Sequence, residues 1–183
     1  MEIVIGISGA SGSAYGIRLL ELLSKTDILT HLVITRTAKQ IIGIETDYEL
    51  SYVEGLADAL YDENDFTAPI ASGSHKFNGM IVAPCSMKTL AEISGGMSNN
   101  LLGRVADVCL KERRKLILMP RETPLNQIHL ENMLRLERAG GIILPASPGF
   151  YSRPQTIDDL VNSMAGRALD LMGIDNEVYK RWE

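Results

Sequence analysis

The sequence predicts a single α/β domain in which helices cover both faces of a parallel sheet. Short apolar runs rich in Ile, Val and Leu alternate with helical patterns from end to end. These runs are continuous, as in strands that are buried on both faces, whereas half-exposed strands alternate apolar and polar residues. The chain has 183 residues, of which 45% are hydrophobic and 22% are charged, which suits one globular core.

Each predicted strand is bounded by glycine, proline or polar residues. The strands span residues 2–8, 30–35, 79–83, 115–119 and 141–145. The helices span about 13–24, 37–44, 52–61, 86–95, 100–113, 124–139 and 156–172. Strand–helix alternation predicts a doubly wound sheet with right-handed crossovers, in which ligands bind at the carboxyl ends of the strands. The polar segment 62–78 predicts a long loop of the kind that often has a function.

Three helix ends carry their own signals. Thr123 followed by Pro124 predicts an N-cap with proline at the first helical position. The glycine pair at 140–141 predicts the end of that helix. Thr156 with Asp159 predicts a capping box at the start of the last helix.

Charge and composition exclude several classes of protein. A net charge of −5 argues against a general surface for nucleic acid or anionic membrane. The sequence opens directly on a strand-like run and has no long apolar stretch, so we expect no signal peptide, no membrane span and a cytoplasmic protein. Cys85 and Cys109 have no metal-ligand spacing, and we expect Cys85 to be packed rather than nucleophilic. The histidines His31, His75 and His129 have no metal-binding companion at useful spacing, so no metal site is expected.

The first strand runs into the turn GISGASGSAYG, residues 6–16. Small residues before a helix N-terminus favour an anion site made by backbone N–H groups, although a tight β–α turn would use the same glycines. The spacing is not that of a dinucleotide fingerprint, and Thr35-Arg36 stand where an NAD site presents an acidic residue. NAD is therefore disfavoured. An NADP site using Arg36 stays open as a minority interpretation.

A second polar cluster, Ser86 and Thr89, follows the third long strand and opens a helix. It predicts either a phosphate cradle or an ordinary N-cap. Arg121-Glu122, at the end of the next strand, predict phosphate binding beside an acid or base, or else a surface ion pair. Tyr151, in the loop PGFYSRP, would either stack on a ligand or pack within its loop.

Basic residues on two of the predicted helices are expected in different surroundings, one set in solvent and the other on an apolar face. Arg104, Asp107, Lys111 and Arg114 form one polar stripe, in which Asp107 is spaced to pair with Lys111 on a solvated face. Arg167 has apolar neighbours at helical spacing, so we expect it to project from the apolar face. An arginine there needs a carboxylate or a phosphate as its partner, and the spacing leaves both open.

Four stretches together resemble the UbiX/Pad flavin prenyltransferases. They are GISGASGSAYG, APCSMKTLA, LKERRKLILMPRETPLNQIHLENML and PASPGFYSRPQT, and the similarity continues to Lys180-Arg181-Trp182. The resemblance implies a homo-oligomeric Rossmann-like (flavodoxin-like) enzyme, typically a dodecamer, that needs no metal. It implies transfer of a dimethylallyl group from dimethylallyl phosphate to N5 and C6 of reduced FMN, giving prenylated FMN for a UbiD-type decarboxylase.

The resemblance also implies roles for individual residues. Glu122 would be the acid or base, and the Ser11 hydroxyl would lie near flavin N5. FMN would be bound by Gly9, Ala10, Ser11, Thr35, Ser86, Met87, Lys88, Thr89 and Arg121. The prenyl-phosphate site would contain Tyr151, Arg167, Glu45 and Trp182, with Lys111 and Arg104 from a neighbouring subunit. The tail from about 173 would pack at the active site or a subunit interface.

Two alternatives stay open. One is a flavin-dependent cysteine decarboxylase, but such enzymes carry PASANT-type and PxMNxxMW-type motifs where this chain reads PCSMKT and PRETPLNQIH. The other is a non-catalytic FMN-binding subunit of an aromatic-acid decarboxylase.

Overall fold

The computed structural model describes residues 1–181 as one layered α/β domain. Six parallel strands form the sheet: β1 (Glu2–Ile7), β2 (Leu29–Ile34), β3 (Ala59–Tyr61), β4 (Gly79–Cys85), β5 (Lys115–Pro120) and β6 (Gly141–Ile143). Their spatial order is β3-β2-β1-β4-β5-β6, and every neighbouring pair is parallel. This is the Rossmann order, and its switch point lies between β1 and β4. The predicted fold class is confirmed.

Helices cover both faces of the sheet. They are α1 (Ser13–Leu23), α2 (Arg36–Glu45), α3 (Leu50–Glu54), α4 (Met87–Ser94), α5 (Leu101–Lys111), α6 (Gln127–Arg138) and α7 (Ile157–Met172), with a 3₁₀ turn at Pro69–Ala71. One buried cluster joins alternate residues of β1, such as Ile3 and Ile5, to α1, α2 and α7. The other joins Val4 to α4 and α5 on the opposite face. Because successive strand residues point to opposite faces, every strand except the short edge strand β3 contributes to both clusters.

Two predicted elements differ from the structure. The helix predicted at 52–61 is wrong: α3 ends at Glu54, Gly55 caps it, and β3 follows as a short edge strand. The helix predicted from 124 begins at Gln127, and Asn126 caps it in place of Thr123. The Asn126 side chain accepts a hydrogen bond from the His129 amide, which completes a capping box three residues after the expected cap.

The other predicted ends agree with the structure. Gly140 adopts a positive φ of 100° directly after α6, and the capping box of Thr156 and Asp159 opens α7. Among residues 1–181, no helix combines the length and the apolar character that crossing a bilayer requires.

Candidate active site

The turns after β1 and β4 are joined through one buried hydroxyl group. Ser8, directly after β1, donates a hydrogen bond to the carbonyl of Pro84 over 3.0 Å and accepts one from the amide of Ser86 over 2.8 Å. The amide of Ser8 also donates to the Pro84 carbonyl. The two strand ends that flank the switch point therefore hold a fixed spacing.

Gly9 allows the first turn to lie close to the start of α2. A Cβ atom at Gly9 would lie 2.6 Å from Cγ2 of Thr37, well inside contact distance. Gly12, the N-cap of α1, has a φ of 102°, a conformation that side chains rarely adopt. These two positions require glycine, one for close approach and the other for its dihedral angle.

The N-terminus of α1 already carries an anion. The carboxylate of Glu45, at the end of α2, accepts hydrogen bonds from the amides of Gly12 and Ser13 over 2.8 and 3.1 Å, and from the Ser13 hydroxyl over 3.2 Å. Partial burial opposes ionisation, but the hydrogen bonds from Ser11, Gly12 and Ser13 outweigh it and lower the pKa of Glu45. The expectation that this turn has free N–H groups for a ligand anion is corrected, because Glu45 occupies them.

The start of α4 has the N-cap that was one of the two interpretations of its polar cluster. Ser86 is the N-cap, and its hydroxyl accepts from the Thr89 amide and donates to the Thr89 hydroxyl over 3.0 Å. Lys88 is largely exposed and pairs with Glu92 at 3.8 Å. Burial raises the pKa of the Cys85 thiol strongly, which agrees with a packed rather than a nucleophilic cysteine.

Arg121 and Glu122 follow β5 at the same edge of the sheet. The Arg121 amide donates to the Cys85 carbonyl over 3.3 Å, and its Nε donates to the Ser11 carbonyl over 3.2 Å. The guanidinium is thus held against the first turn. Glu122 is exposed, and its carboxylate accepts a hydrogen bond from the Thr123 amide over 3.0 Å. The surface ion pair considered for Arg121 and Glu122 is replaced by these backbone contacts.

Two neighbouring clefts contain most of the expected flavin residues. The first has a volume of about 350 Å³ and is lined by Gly9, Ala10, Ser11, Ile41, Ile44, Glu45, Ser86, Met87, Arg121 and Glu122. The second has about 320 Å³ and is lined by Gly9, Thr35, Arg36, Thr37, Glu63, Ser86, Lys88, Thr89, Glu92 and Asn100. Since both include Gly9 and Ser86, they adjoin over the switch point.

Tyr151 and Arg167 lie apart from these clefts, in a third cavity of about 510 Å³. Arg167 was expected on the apolar face, but its side chain is 49% exposed and pairs with Asp170 at 3.1 Å. Its neighbours on α7 include the small residues Ala165 and Ala168, so the long side chain reaches solvent beyond the buried stripe. A carboxylate and a phosphate were the two expected partners of Arg167, and within the described residues the structure shows the carboxylate of Asp170.

Asp170 also anchors the C-terminal tail. Its carboxylate accepts hydrogen bonds from Asn176, Tyr179 and Arg181. Hydrogen bonds from Arg181 and Tyr179, together with the charge of Arg181, outweigh desolvation and lower the pKa of Asp170 to about 2. Tyr179 and Lys180 line the third cavity beside Arg167. Trp182 lies outside the described residues.

The basic residues of α5 lie outside all three cavities. Arg104 binds Asp107 at 2.6 Å and donates from Nε to the Ala71 carbonyl, and Lys111 pairs with Glu112. The expected pair of Asp107 with Lys111 is thus replaced by a pair of Asp107 with Arg104. Within a single chain, Arg104 and Lys111 are not brought to the flavin residues.

The site also contains three residues for which no role was predicted: Ile41, Ile44 and Ser8. Ile44 is 81% exposed although it is a large apolar residue, and with Ile41 it lines the first cleft. Their spacing of three residues, directly before Glu45, could have indicated an apolar wall for an aromatic ligand. Ser8 carries no such signal, because its role depends on the neighbouring strand.

Comparison with known proteins decides the family. The model of the family described as Flavoprotein matches residues 1–169. The flavin prenyltransferase UbiX of Methanothermobacter thermautotrophicus is 52% identical over 180 residues, covering 98% of this chain and 94% of its own. The chain belongs to the UbiX family of flavoproteins.

Two solved UbiX structures have the same fold. A crystal structure of AnUbiX (PadA1) in complex with FMN and dimethylallyl pyrophosphate is 48% identical with a TM-score of 0.98, covering 100% of this chain and 97% of that one. A dodecameric FMN-dependent UbiX-like decarboxylase from Escherichia coli O157:H7 is 47% identical with a TM-score of 0.98, covering both chains fully. In contrast, the FMN-dependent cysteine decarboxylase TvaF is 17% identical with a TM-score of 0.65 and shares the fold alone.

Proposed function

We propose that this protein is a flavin prenyltransferase that joins a dimethylallyl group to reduced FMN. The observation that carries the proposal is the first cleft, where Arg121 and Glu122 lie beside the Gly9–Ser11 turn at the switch point of the sheet. Ligands of open α/β sheets bind at this place. Membership of the UbiX family supports the same activity.

The residues of the two adjoining clefts fit a flavin nucleotide. Gly9 and Ala10 are small residues in the lining of the first cleft, and Ile41, Ile44 and Met87 offer an apolar surface to the rings. We assign the FMN phosphate to the second cleft, where hydroxyl and amide donors at the start of α4 lie near Lys88. The first helix is a poorer phosphate site, since Glu45 already neutralises its N-terminus.

The proposed reaction breaks the C–O bond of the prenyl phosphate and joins one prenyl carbon to N5 of the flavin, which loses its proton. The prenyl double bond is used up when one of its carbons takes a proton and the other bonds to C6, which loses its hydrogen as a proton. Reduced FMN supplies the electron-rich acceptor when it is bound. The phosphate leaves with the electron pair of the broken bond, so its growing negative charge needs fixed cations and a proton donor. Arg121 supplies positive charge, Glu122 moves the proton at the leaving group, and the Ser11 hydroxyl is placed near N5.

We assign the prenyl phosphate itself to Tyr151, Arg167, Trp182 and Glu45. Because Glu45, Arg121 and Glu122 line the first cleft and Tyr151 and Arg167 line the third cavity, we propose that a subunit interface brings the two sets together. Lys111 and Arg104 would be supplied by a neighbouring subunit in a homo-oligomer, which we propose is a dodecamer. The tail from about residue 173 would close the site, because Tyr179 and Lys180 already line the cavity of Arg167. We further propose that the prenylated FMN is passed to a UbiD-type decarboxylase.

The proposal is tested by incubating the protein with reduced FMN and either dimethylallyl phosphate or dimethylallyl pyrophosphate under anaerobic conditions. Mass spectrometry of the extracted flavin should show the gain of one prenyl unit with at least one donor. A UbiX enzyme of known activity serves as the control. Bound but unmodified flavin in every sample, while the control reacts, would contradict the proposal and favour a flavin-binding subunit.

A further inference from the structure

Three potential metal ligands meet at the edge of the sheet opposite the flavin clefts. Glu2 is the first residue of β1, His31 is the third residue of β2, and His75 belongs to the loop between the 3₁₀ turn and β4. The first two lie near the amino ends of their strands. Along their strands, Glu2 lies about 16 Å and His31 about 10 Å from the carboxyl ends at the switch point.

The three side chains converge to bonding distance of a common ion. Nε2 of His31 lies 3.2 Å from Oε2 of Glu2, and Nε2 of His75 lies 3.3 Å from the same oxygen. One ligand atom from each of the three residues lies within 4.8 Å of the others. A tetrahedral ion with bonds of about 2.0–2.1 Å places its ligand atoms about 3.3–3.4 Å apart, which matches the two spacings to Glu2.

The two histidines are prepared for this role in different ways. His31 is buried, and its Nδ1 lies 3.2 Å from the Tyr61 hydroxyl, which can accept a hydrogen bond from Nδ1–H and leave the Nε2 lone pair free. Nε2 of His75 is shielded from solvent, and within residues 1–181 its 3.3 Å approach to the Glu2 carboxylate does not have hydrogen-bond geometry. A buried ring nitrogen without a hydrogen-bond partner is costly, and a metal bond would satisfy it.

We propose that Glu2, His31 and His75 form a binding site for a divalent transition metal, for which Zn²⁺ is the best-matched ion. Two neutral imidazoles and one carboxylate are a ligand set that Zn²⁺ uses, with water in the fourth position. Side chains of Glu2 and His75 that are each 31% exposed leave room for that water. Mg²⁺ and Ca²⁺ prefer oxygen ligands and are disfavoured.

A metal ion at this site would fasten the loop of residues 62–78, which contains His75, to strands β1 and β2. The same loop presents its Ala71 carbonyl to Arg104 and its Gly73 carbonyl to Arg114 of the α5 region. A metal bond to His75 would therefore hold this segment against Arg104 of α5, against Arg114 just after α5, and against β1 and β2. The proposal gives the metal no part in prenyl transfer, so it can be tested on protein without flavin.

The test is calorimetric titration of untagged, chelator-treated protein with Zn²⁺ alone. We expect one Zn²⁺ per chain and no comparable binding of Mg²⁺. Removal of one ligand in His75→Ala or Glu2→Gln should weaken binding by at least roughly 100-fold, and Tyr61→Phe by roughly 10-fold, since it removes only the support of His31.

His129→Gln is the matched control, because His129 lies on α6 and glutamine can keep its place in the capping box. It should bind Zn²⁺ like the unsubstituted protein. Hydrogen exchange should also slow around residues 72–76 when Zn²⁺ is added, and not in His75→Ala. The proposal is overturned if the unsubstituted protein shows no one-to-one binding, or if His75→Ala and Glu2→Gln, folded by circular dichroism, bind Zn²⁺ as tightly as His129→Gln.

Discussion

Glu122 is the residue on which the proposed chemistry depends most directly. Its carboxylate lies in the first cleft and is held by the Thr123 amide, a contact that an amide oxygen can also make. Glu122→Gln should therefore bind FMN normally but lose prenyl transfer by about 100-fold or more, since it removes the group that moves the proton. Flavin fluorescence measures binding, and mass spectrometry measures product.

Glu131→Gln is a suitable control for this change. Glu131 lies on the exposed side of α6, where it accepts a hydrogen bond from Gln127. Glu131→Gln removes the same charge at a position outside the clefts, so the rate of prenyl transfer should stay unchanged. Equal rates in the two variants would remove Glu122 from its assigned role.

Helix α1 lies against the sheet through a glycine that has no room for a side chain. A Cβ atom at Gly16 would lie 2.3 Å from the carbonyl oxygen of Ala83 and 2.9 Å from Cδ1 of Ile7. Gly16→Ala should therefore displace α1 and lower the free energy of unfolding by about 3 kcal/mol. Urea denaturation followed by circular dichroism measures the change.

Gly43→Ala is the matched substitution in helix α2. A Cβ atom at Gly43 would meet nothing within 4 Å. Since alanine loses less backbone entropy in a helix, this variant should be more stable by about 0.5–1 kcal/mol. Similar losses of stability in both variants would show that the close approach of α1 to β4 is not the cause.

The sequence predicted the elements whose signals are local and missed those that depend on neighbours. Five of the six strands were predicted, because their continuous apolar runs reflect burial on both faces. β3 was missed, since its three residues pair only with β2 at the edge and resemble the end of a helix. The start of α6 was misplaced because Asn126 offers a capping box that competes with the Thr123-Pro124 signal.

At the scale of the whole molecule, the proposed site is divided among separate places on one chain. Arg121 and Glu122 line the first cleft, Arg167 lines the third cavity, and Lys111 lies in neither. Sequence order could predict that strand ends converge, because parallel strands place them at one edge. It could not predict contacts of α5 or of the tail, which depend on tertiary and subunit packing.

This division predicts complementation between inactive subunits. Lys111→Ala and Glu122→Gln proteins should each lose most prenyl transfer, Lys111→Ala by about 10-fold or more. If Lys111 serves a neighbouring subunit, co-expression of the two variants should restore about a quarter of the sites, since a random mixture gives that share of intact pairs. The rate of prenylation per chain measures the recovery.

The matched sample is a mixture of the two separately purified variants without subunit exchange, which should stay inactive. If the co-expressed protein were no more active than this mixture, Lys111 would act within its own chain or not at all.

The hydrogen bonds of the Ser8 hydroxyl affect the rate and the free energy of ligand binding. Ser8 belongs to the turn after β1, and its hydroxyl donates to Pro84 and accepts from Ser86 at the end of β4, so the two walls of the groove are joined before any nucleotide binds. Little of the free energy of flavin binding is then needed to order the two turns. Ser8 is buried and takes no part in the reaction, but it preorganises the groove for the ligand.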